Sequence, residues 1–432
     1  MSRILIKEAK KQATGEVTVA GFVNNVRAHK GVIFVDLRDI SDYMQLVFVS
    51  GNDSYEIAEK LQLESVIQVT GELQEKPSKK GEETKDFELL VSEAEIVSLS
   101  DESLPISVLQ KADNEANLDN RLNWRWLDLR RPENQTIFKL WTKLEQGFRD
   151  YWMENDYIQI YTPAFMNTAS ESGSEVFEVK YFDKKAYLAQ SPQFYKQMAL
   201  AAGLEKVFVM GSVFRAEPSF TSRHLTEFTG WDFEMSYIES HLDVMAAEEG
   251  LMVSGFRKVK EDLDIDIEVP TVPFPRMTMA EAKAKLKEVG VPSEKDFDLS
   301  PEEERTICEI VKKEHNHDFV FITDYPIDAR PFYHMRYEDR PEITKSFDLL
   351  YRGVEITTGA QREHRIDVLE KQAIEKGMDL EELKNYIDFF RYGCPSHGGA
   401  GIGPARIIMK ILGLNNIKEA TFLPRDVKRL LP

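Results

Sequence analysis

Between residues 16 and 99, apolar and polar residues alternate in five separate stretches, and this alternation limits what the start of the chain can fold into. Side chains on a strand point to opposite faces in turn, so a period of two marks a sheet with one face in a core and the other in water. The stretches are EVTVAGFVN (16–24), VIFVDLR (32–38), MQLVFVS (44–50), VIQVTGEL (66–73) and DFELLVSEAEIVSL (86–99), with a short helical piece, YEIAEKLQ (55–62), between the third and the fourth. Five strands and one helix in so short a span fit a small Greek-key barrel of the OB type over residues 1–104. A generic small β-domain satisfies the same alternation.

The pattern then stops. A polar run with helix breakers, SLSDESLPISVLQKADNEANLDNR (98–121), reads as part of a hinge over 105–132. From 133 a long amphipathic helix is expected in ENQTIFKLWTKLEQGFRDYWMEND, where Phe138, Trp141, Leu144 and Phe148 recur at helical spacing. YIQIYTP (157–163) follows as a strand stopped by Pro163. The rest of 133–432 mixes strands and helices, with a strongly charged helical insertion near 240–320. The expected fold class is α+β with a small barrel in front. A chain of 432 residues exceeds what one hydrophobic core supports, which agrees with two domains.

Composition excludes several function classes. The chain has no apolar run long enough to span a bilayer, and MSRILIKEAKKQATGE lacks the apolar core of a secretory signal. Two cysteines, Cys308 and Cys394, are too few for a disulfide framework or a cysteine-rich zinc site, so a cytoplasmic location is expected. A net charge of −19 opposes indiscriminate binding of polyanions and leaves room for local recognition of RNA.

Four clusters carry chemistry. In VFRAEPSFTSRHLTEFTGWDFEM (213–235), Arg215 and Glu217 share a face if the stretch is extended, as do Phe228, Gly230, Asp232 and Glu234 on the returning strand. A guanidinium forks onto phosphate, a carboxylate accepts from an exocyclic amine, and a ring stacks on a base. Arg223 and His224 in the loop suit the far end of a polyphosphate. A solvated, salt-bridged hairpin is the competing reading of Arg-x-Glu by itself.

In SFDLLYRGVEITTGAQREHR (346–365), Asp348 and Glu355 are an odd number of residues apart and fall on opposite faces of an unbroken strand. A bulge or turn at Gly353 would bring them together as oxygen ligands for Mg²⁺. Arg362 would stand beyond them as a cation for a carboxylate; edge-strand charges are the alternative. In HGGAGIGPARIIMKILGL (397–414), the glycines permit close backbone approach and Arg406 opens an apolar helix. In SESGSEVFEVKYFDKKAYLAQSPQFYKQ (170–197), Glu171, Gln193 and Lys196 offer acceptors for an amine and a cation for a carboxylate, a pairing that suits an amino acid. His315 and His317 in EHNHDF, the lysines of KPSKKGEETK and Cys394 before Pro395 lack a surrounding scaffold and read as solvated or inert.

Taken together, the clusters resemble the class II aminoacyl-tRNA synthetases, specifically the archaeal-type aspartyl-tRNA synthetases. The likeness spans nearly the whole chain. The long helix and the strand ending at Pro163 resemble motif 1, FRAE…SRHLTEFTGWDFEM motif 2, and GIGPAR with its helix motif 3, while FLPRDVKRLLP looks like the end of this branch. The resemblance implies an N-terminal OB-fold anticodon-binding domain and a catalytic domain with an antiparallel sheet flanked by helices. It implies ATP and L-aspartate as substrates, Mg²⁺ as cofactor, tRNA-Asp as partner and a homodimer through motif 1. By the same resemblance Arg215 meets the α-phosphate, Glu217 the adenine amino group, and Phe228 with Arg406 sandwiches the adenine. Arg223 and His224 reach the terminal phosphates, and Asp348 and Glu355 hold the metal. Glu171 and Gln193 take the amino-acid ammonium, Lys196 and Arg362 its side-chain carboxylate, and Phe34 and Gln45 read the anticodon. Two buried cations would be left underpaired by a neutral amide, which favours aspartate over asparagine.

Two departures stand out. Ala405, after Pro404, replaces the acid that usually precedes the motif 3 arginine, and Asn24 stands where enzymes strict for tRNA-Asp often carry Trp. The second implies an enzyme that also aspartylates tRNA-Asn, with an amidotransferase to finish that product. An asparaginyl-tRNA synthetase and a catalytically silent RNA-binding paralogue are the alternatives.

Overall fold

Five alternating stretches do close on themselves. In the computed structural model, which describes residues 2–76, 86–109, 116–167, 176–293 and 295–432, they are β1 (Gly15–His29), β2 (Val32–Arg38), β3 (Tyr43–Val49), β4 (Val66–Glu75) and β5 (Phe87–Ser98). They form a closed barrel in the order β1-β2-β3-β5-β4. Two helices belong to it, α1 (Ile6–Gln12) and α2 (Asp53–Ala58). The Asn52 side chain caps α2 by accepting from the Ser54 amide. Ile33, Val35, Leu37, Met44, Leu46 and Phe48 point inward, so their alternates on β2 and β3 face outward. Sequence reasoning passed over α1, a single short helix with no periodicity to detect.

This first compact unit covers Met1–Pro132 and the second Glu133–Pro432. The stretch read as a hinge is therefore more ordered than an open linker: its described part contains α3 (Leu118–Asn123) and α4 (Arg125–Asp128). Arg121 and Arg125 both donate to the buried Asp128, and Arg130 donates to Glu64 at 3.0 Å. Glu64 also receives a buried fork from Arg38, at 2.7 and 2.6 Å. At six and four residues these helices are too short for their leucines and tryptophans to show a helical period in the sequence.

In the second unit α5 (Pro132–Glu154) presents Ile137, Leu140, Leu144, Phe148 and Trp152 to the core. Burying each such side chain contributes roughly 1.5–3 kcal/mol relative to exposure. Next come β6 (Ile158–Gln159), β7 (Phe165–Met166), β8 (Glu178–Tyr181), β9 (Lys184–Leu188), α6 (Gln193–Ala201), β10 (Lys206–Phe214), β11 (Glu227–Ser236) and α7 (His241–Asp262). Then follow β12 (Arg276–Thr278), α8 (Met279–Glu288), α9 (Pro301–His315), β13 (Phe319–Thr323), β14 (Ser346–Tyr351) and β15 (Val354–Arg362). Last are α10 (Ile366–Glu375), α11 (Lys384–Arg391), β16 (His397–Ile402) and α12 (Pro404–Ile411). Eight strands form one sheet in the order β12-β13-β14-β15-β16-β11-β10-β6, antiparallel except at its two edges, where β6 and β12 run parallel to their neighbours. β7, β9 and β8 form a small separate sheet.

Several expectations change here. The 240–320 section holds α7, α8 and α9 but is not helical throughout: α7 packs its apolar side into the main core, and β12, with β13 from Phe319, joins the main sheet. YIQIYTP contributes only two paired residues. His317 is buried rather than solvated, accepting from the Phe319 amide on Nδ1 at 3.0 Å and donating from Nε2 to the Thr271 carbonyl at 3.0 Å. Cys308 and Cys394 are both free thiols, and burial pushes each up to about 12. Among the described residues no helix is long and apolar enough to cross a membrane.

Glu248 on α7 is fully buried beneath the sheet. Burial pushes its carboxyl up to about 8, with nearby Asp348 adding to the shift and the Thr357 hydroxyl offsetting part of it. The folded state thus holds a proton that the unfolded chain gives up near its ordinary value of 4.5. Stability from this group is complete below that value and is lost as pH rises towards about 8. Glu248→Gln is expected to gain on the parent protein steadily between pH 5 and pH 8, reaching several degrees in melting temperature. Parallel melting curves at both pH values would exclude a protonated Glu248.

Candidate active site

A cavity of about 430 Å³ opens on the central strands of the large sheet. The hairpin from β10 to β11 contributes Arg215, Glu217, Arg223, His224 and Phe228 to its wall; α6 contributes Gln193, β15 Glu355 and Arg362, and α12 Arg406. Asp348 and Lys196 lie just behind this lining. Glu171 falls outside the described residues, as do nearly all of the lysines of 76–85.

The hairpin differs from its expected form in one respect. β10 ends at Phe214, so Arg215 and Glu217 sit in the connecting loop and not on the strand. They still meet: the Arg215 guanidinium lies 3.8 Å from the Glu217 carboxylate and 5.5 Å from the centre of the Phe228 ring. On β11 the parity holds, with Phe228, Gly230 and Asp232 all lining the cavity. His224 Nδ1 meets the hydroxyls of Ser219, at 3.1 Å, and Thr221. Burial, together with Arg406, lowers its pKa and keeps the ring neutral.

Asp348 and Glu355 come together through two devices. The β14–β15 turn passes through Arg352 and Gly353 with φ of 46° and 82°, a left-handed pair in which glycine relieves the strain. A bulge then places Leu350 opposite Glu355 and Leu349 opposite Thr357, so that Ile356 is the extra residue. That residue inverts the parity: the Thr358 hydroxyl donates to Glu355 Oε1 at 3.2 Å, and Thr358 pairs with Asp348. Burial raises the Asp348 pKa and Glu355 raises it further, against Arg330 at 2.8 Å. Desolvation opposes the ionisation of Glu355, but Arg406, Arg330, the Thr358 hydroxyl and Arg223 together outweigh it and lower its pKa. The buried carboxylate of Asp348 and the half-buried one of Glu355 repel each other and, with a hydroxyl beside them, form an all-oxygen donor set that fits a hard dication sharing its other positions with phosphate and water. Among the described residues no larger cluster of ligating side chains exists.

Glu234 on β11 organises the other end. It is fully buried, receives Arg362 Nε at 2.8 Å and lies 3.2 Å from Lys196 Nζ, which also donates to Asp232 at 2.8 Å. Burial opposes the ionisation of Glu234, but Arg362 and Lys196 outweigh it and hold its pKa below the ordinary value. Gln193 Nε2 is 3.4 Å from both Glu234 oxygens. Arg362 further donates to His334 Nε2 and to the Gly399 carbonyl, each at 2.9 Å. Gly399 must be glycine: a Cβ there would lie 2.1 Å from the Phe233 carbonyl and 2.3 Å from Glu234 Oε2. This corrects the charge argument made from sequence. Lys196 and Arg362 are already paired by Asp232 and Glu234, and Lys196 is wholly buried behind the cavity.

Arg406 donates to the Glu355 carbonyl at 2.8 Å, while Ala405 before it packs into the core. The departure at 405 leaves the arginine in place. Sequence reasoning placed Asp232 and Glu234 on the right face but gave them no role, and it missed Glu304, Arg330 and His334 altogether. Alternation carried the signal for the first two. Arg330 and His334 come from an irregular loop, and Glu304 was hidden among three consecutive acids in the first turn of α9, where acids normally serve the helix dipole.

On the barrel, Phe34 and Gln45 share the outer face. Gln45 donates to Glu88 at 2.7 Å and accepts from Arg27 at 3.2 Å, and His29 meets the Phe34 ring edge-on at 5.9 Å. Asn24 falls where the β1–β2 register slips between Val23 and Asn25, and its Oδ1 accepts from Arg38 at 2.9 Å.

Comparison with known proteins agrees with this geometry. Residues 117–427 match the family described as tRNA synthetases class II (D, K and N), and residues 17–97 match the OB-fold nucleic acid binding domain. The chain belongs to the class II tRNA synthetases. An Aeropyrum pernix protein named Aspartate--tRNA(Asp/Asn) ligase is 44% identical over 99% of this chain and 98% of its own. A structure described as a putative aspartyl-tRNA synthetase from Leishmania major matches with a TM-score of 0.88 at 30% identity, covering 100% of this chain and 95% of that one. Asparaginyl-tRNA synthetase from Pyrococcus horikoshii, complexed with asparaginyl-adenylate, matches with a TM-score of 0.88 at 30% identity and covers 100% of both chains.

In this synthetase fold the buried ion-pair cluster is costly to break. Lys196→Met takes the cation from between two acids, and an uncompensated buried charge costs about 3 kcal/mol or more. A loss of that order in urea denaturation is expected; a variant as stable as its parent would remove Lys196 as their counterion.

Proposed function

We propose that this chain is an aspartate–tRNA ligase that activates L-aspartate with ATP and charges both tRNA-Asp and tRNA-Asn. The observation that carries the reading is the convergence of a nucleotide-suited hairpin, a carboxylate pair and a buried ion-pair cluster on one cavity. Phe228 and Arg406 sandwich the adenine and Glu217 accepts from its amino group. Arg215 neutralises the α-phosphate, and Arg223 and His224 hold the terminal phosphates. Asp348 and Glu355 would hold Mg²⁺, which when bound offsets negative charge on the phosphates. The aspartate α-carboxylate attacks the α-phosphorus and pyrophosphate leaves, so the protein needs no nucleophile of its own. The terminal adenosine hydroxyl of tRNA, normally the 3′-hydroxyl in this class, then attacks the adenylate carbonyl and AMP leaves.

Substrate choice follows from the cluster. Aspartate carries an ammonium for Asp232, Gln193 and Glu171, and a side-chain carboxylate for Arg362 and Lys196, so it can exchange into the Lys196–Asp232 pair with every charge still matched. With the amide of asparagine in that place, Lys196 would keep only Glu234, an acid it shares with Arg362. The equal likeness to an asparaginyl enzyme makes asparagine the competing substrate. On the barrel, Phe34 stacks on an anticodon base and Gln45 reads a base edge, the recognition mode expected of single-stranded RNA. A small residue at Asn24 admits either base at the third anticodon position, which accounts for the broader tRNA scope; an amidotransferase then converts the aspartyl-tRNA-Asn. A second copy of the chain covers the exposed Ile158, Tyr161 and Phe165 beside motif 1, giving a cytoplasmic homodimer.

ATP–pyrophosphate exchange tests the first step. Aspartate is expected to exceed asparagine by about 100-fold or more in kcat/KM, and exchange with asparagine alone would make the chain an asparaginyl enzyme. No exchange with either would make it a silent paralogue. For tRNA scope, Asn24→Trp should lower charging of tRNA-Asn more than that of tRNA-Asp. Equal losses on the two tRNAs would remove Asn24 as the determinant.

A further inference from the structure

Arg223 does not project freely into the cavity. Its Nη1 donates at 2.5 Å to Oε2 of Glu304, and that oxygen also accepts from the backbone N–H of Glu355 at 3.2 Å. Glu304 is only 3% exposed, on the first turn of α9. A capping box fixes that turn: the Ser300 hydroxyl accepts from the Glu303 amide at 3.3 Å while Glu303 Oε2 accepts from the Ser300 amide at 2.7 Å. One carboxylate therefore ties the loop carrying Arg223 to the strand carrying Glu355. Arg223 Nε, meanwhile, is buried and has no hydrogen-bond partner among the described residues.

We propose that Glu304 is a positioning residue for the polyphosphate end of the nucleotide, holding the Arg223 guanidinium in place while its remaining N–H groups meet the phosphates. The proposal rests on the assignment of Arg223 to the terminal phosphates. Glu304 is too deeply buried to be left without its counterion, so Arg223 keeps the pair when nucleotide arrives. A guanidinium has five donors in a fixed plane, and anchoring one end aims the others. Because the Glu355 amide shares the same oxygen, the cation for the phosphates and the carboxylate beside them move as one piece.

The test is ATP–pyrophosphate exchange by the full chain with aspartate. Glu304→Gln should raise KM for ATP and for pyrophosphate about tenfold, the loss that one charge-assisted hydrogen bond produces, with KM for aspartate unchanged. Arg223→Gln should do the same, and the double variant should be no worse than Arg223→Gln. Additive losses in the double variant would overturn the proposal, as would a uniform fall in kcat that spared KM for ATP. A normal KM for ATP in Glu304→Gln, with a raised one in Arg223→Gln, would overturn the positioning role alone and leave the proposed activity standing. A normal KM in Arg223→Gln would overturn both assignments. If Glu304→Gln fails to fold, Glu304→Asp, which keeps the charge but withdraws it by one methylene, should show the same pattern with a smaller shift.

Discussion

The second unit is arranged around one fully buried carboxylate. Glu234 can ionise in the core only because Arg362 and Lys196 reach it, and both cations can lie in the core only because Glu234 and Asp232 receive them. Removing any one partner strands a charge in a medium that solvates it poorly. The four side chains come from β15, α6 and β11, so this mutual dependence ties a helix to two non-adjacent strands. The strand between β11 and β15 is β16, and Gly399 on it leaves the space in which the pair meets. A glycine-rich stretch that resembles a phosphate loop is thus, in part, a gap cut for an ion pair.

At the other end of the cavity, backbone irregularity does the corresponding work. Asp348 and Glu355 would face opposite sides of a regular strand; the bulge at Ile356 puts them together, and their repulsion is balanced by Arg330 and Arg406. The site therefore holds alternating charges that bury one another's cost. Its ligands are zwitterions and polyanions that can exchange into such a lattice charge for charge. Similar economy appears in the barrel, where Asn24 at a bulge, Arg38, Glu64 and Arg130 form one network beside the outward face.

Much of this was legible beforehand. The barrel strands, the long helix α5 and the chemical identity of the hairpin residues all follow from periodicity and side-chain type, and Phe228 and Asp232 lie on the cavity side as strand parity requires. What escaped was irregular or long-range. α3 and α4 are too short to show a helical period, Arg330 and His334 come from a loop without period, and β12 and β13 are short strands amid helices. Glu304 looked like an ordinary helix-start acid because nothing local distinguishes it from Glu302 and Glu303.

By itself the amino-acid sequence determined which groups are present and on which face of each strand they emerge, because alternation and helical spacing are properties of a local backbone. Tertiary structure alone decided the charge state and pairing of those groups. Lys196 finds its acids on β11, Glu355 its arginine on α12, and Arg223 its carboxylate on α9. Burial makes the contacts of Lys196 and of Arg223 with Glu304 energetically compulsory, and burial is a property of the assembled fold that no local window of residues contains.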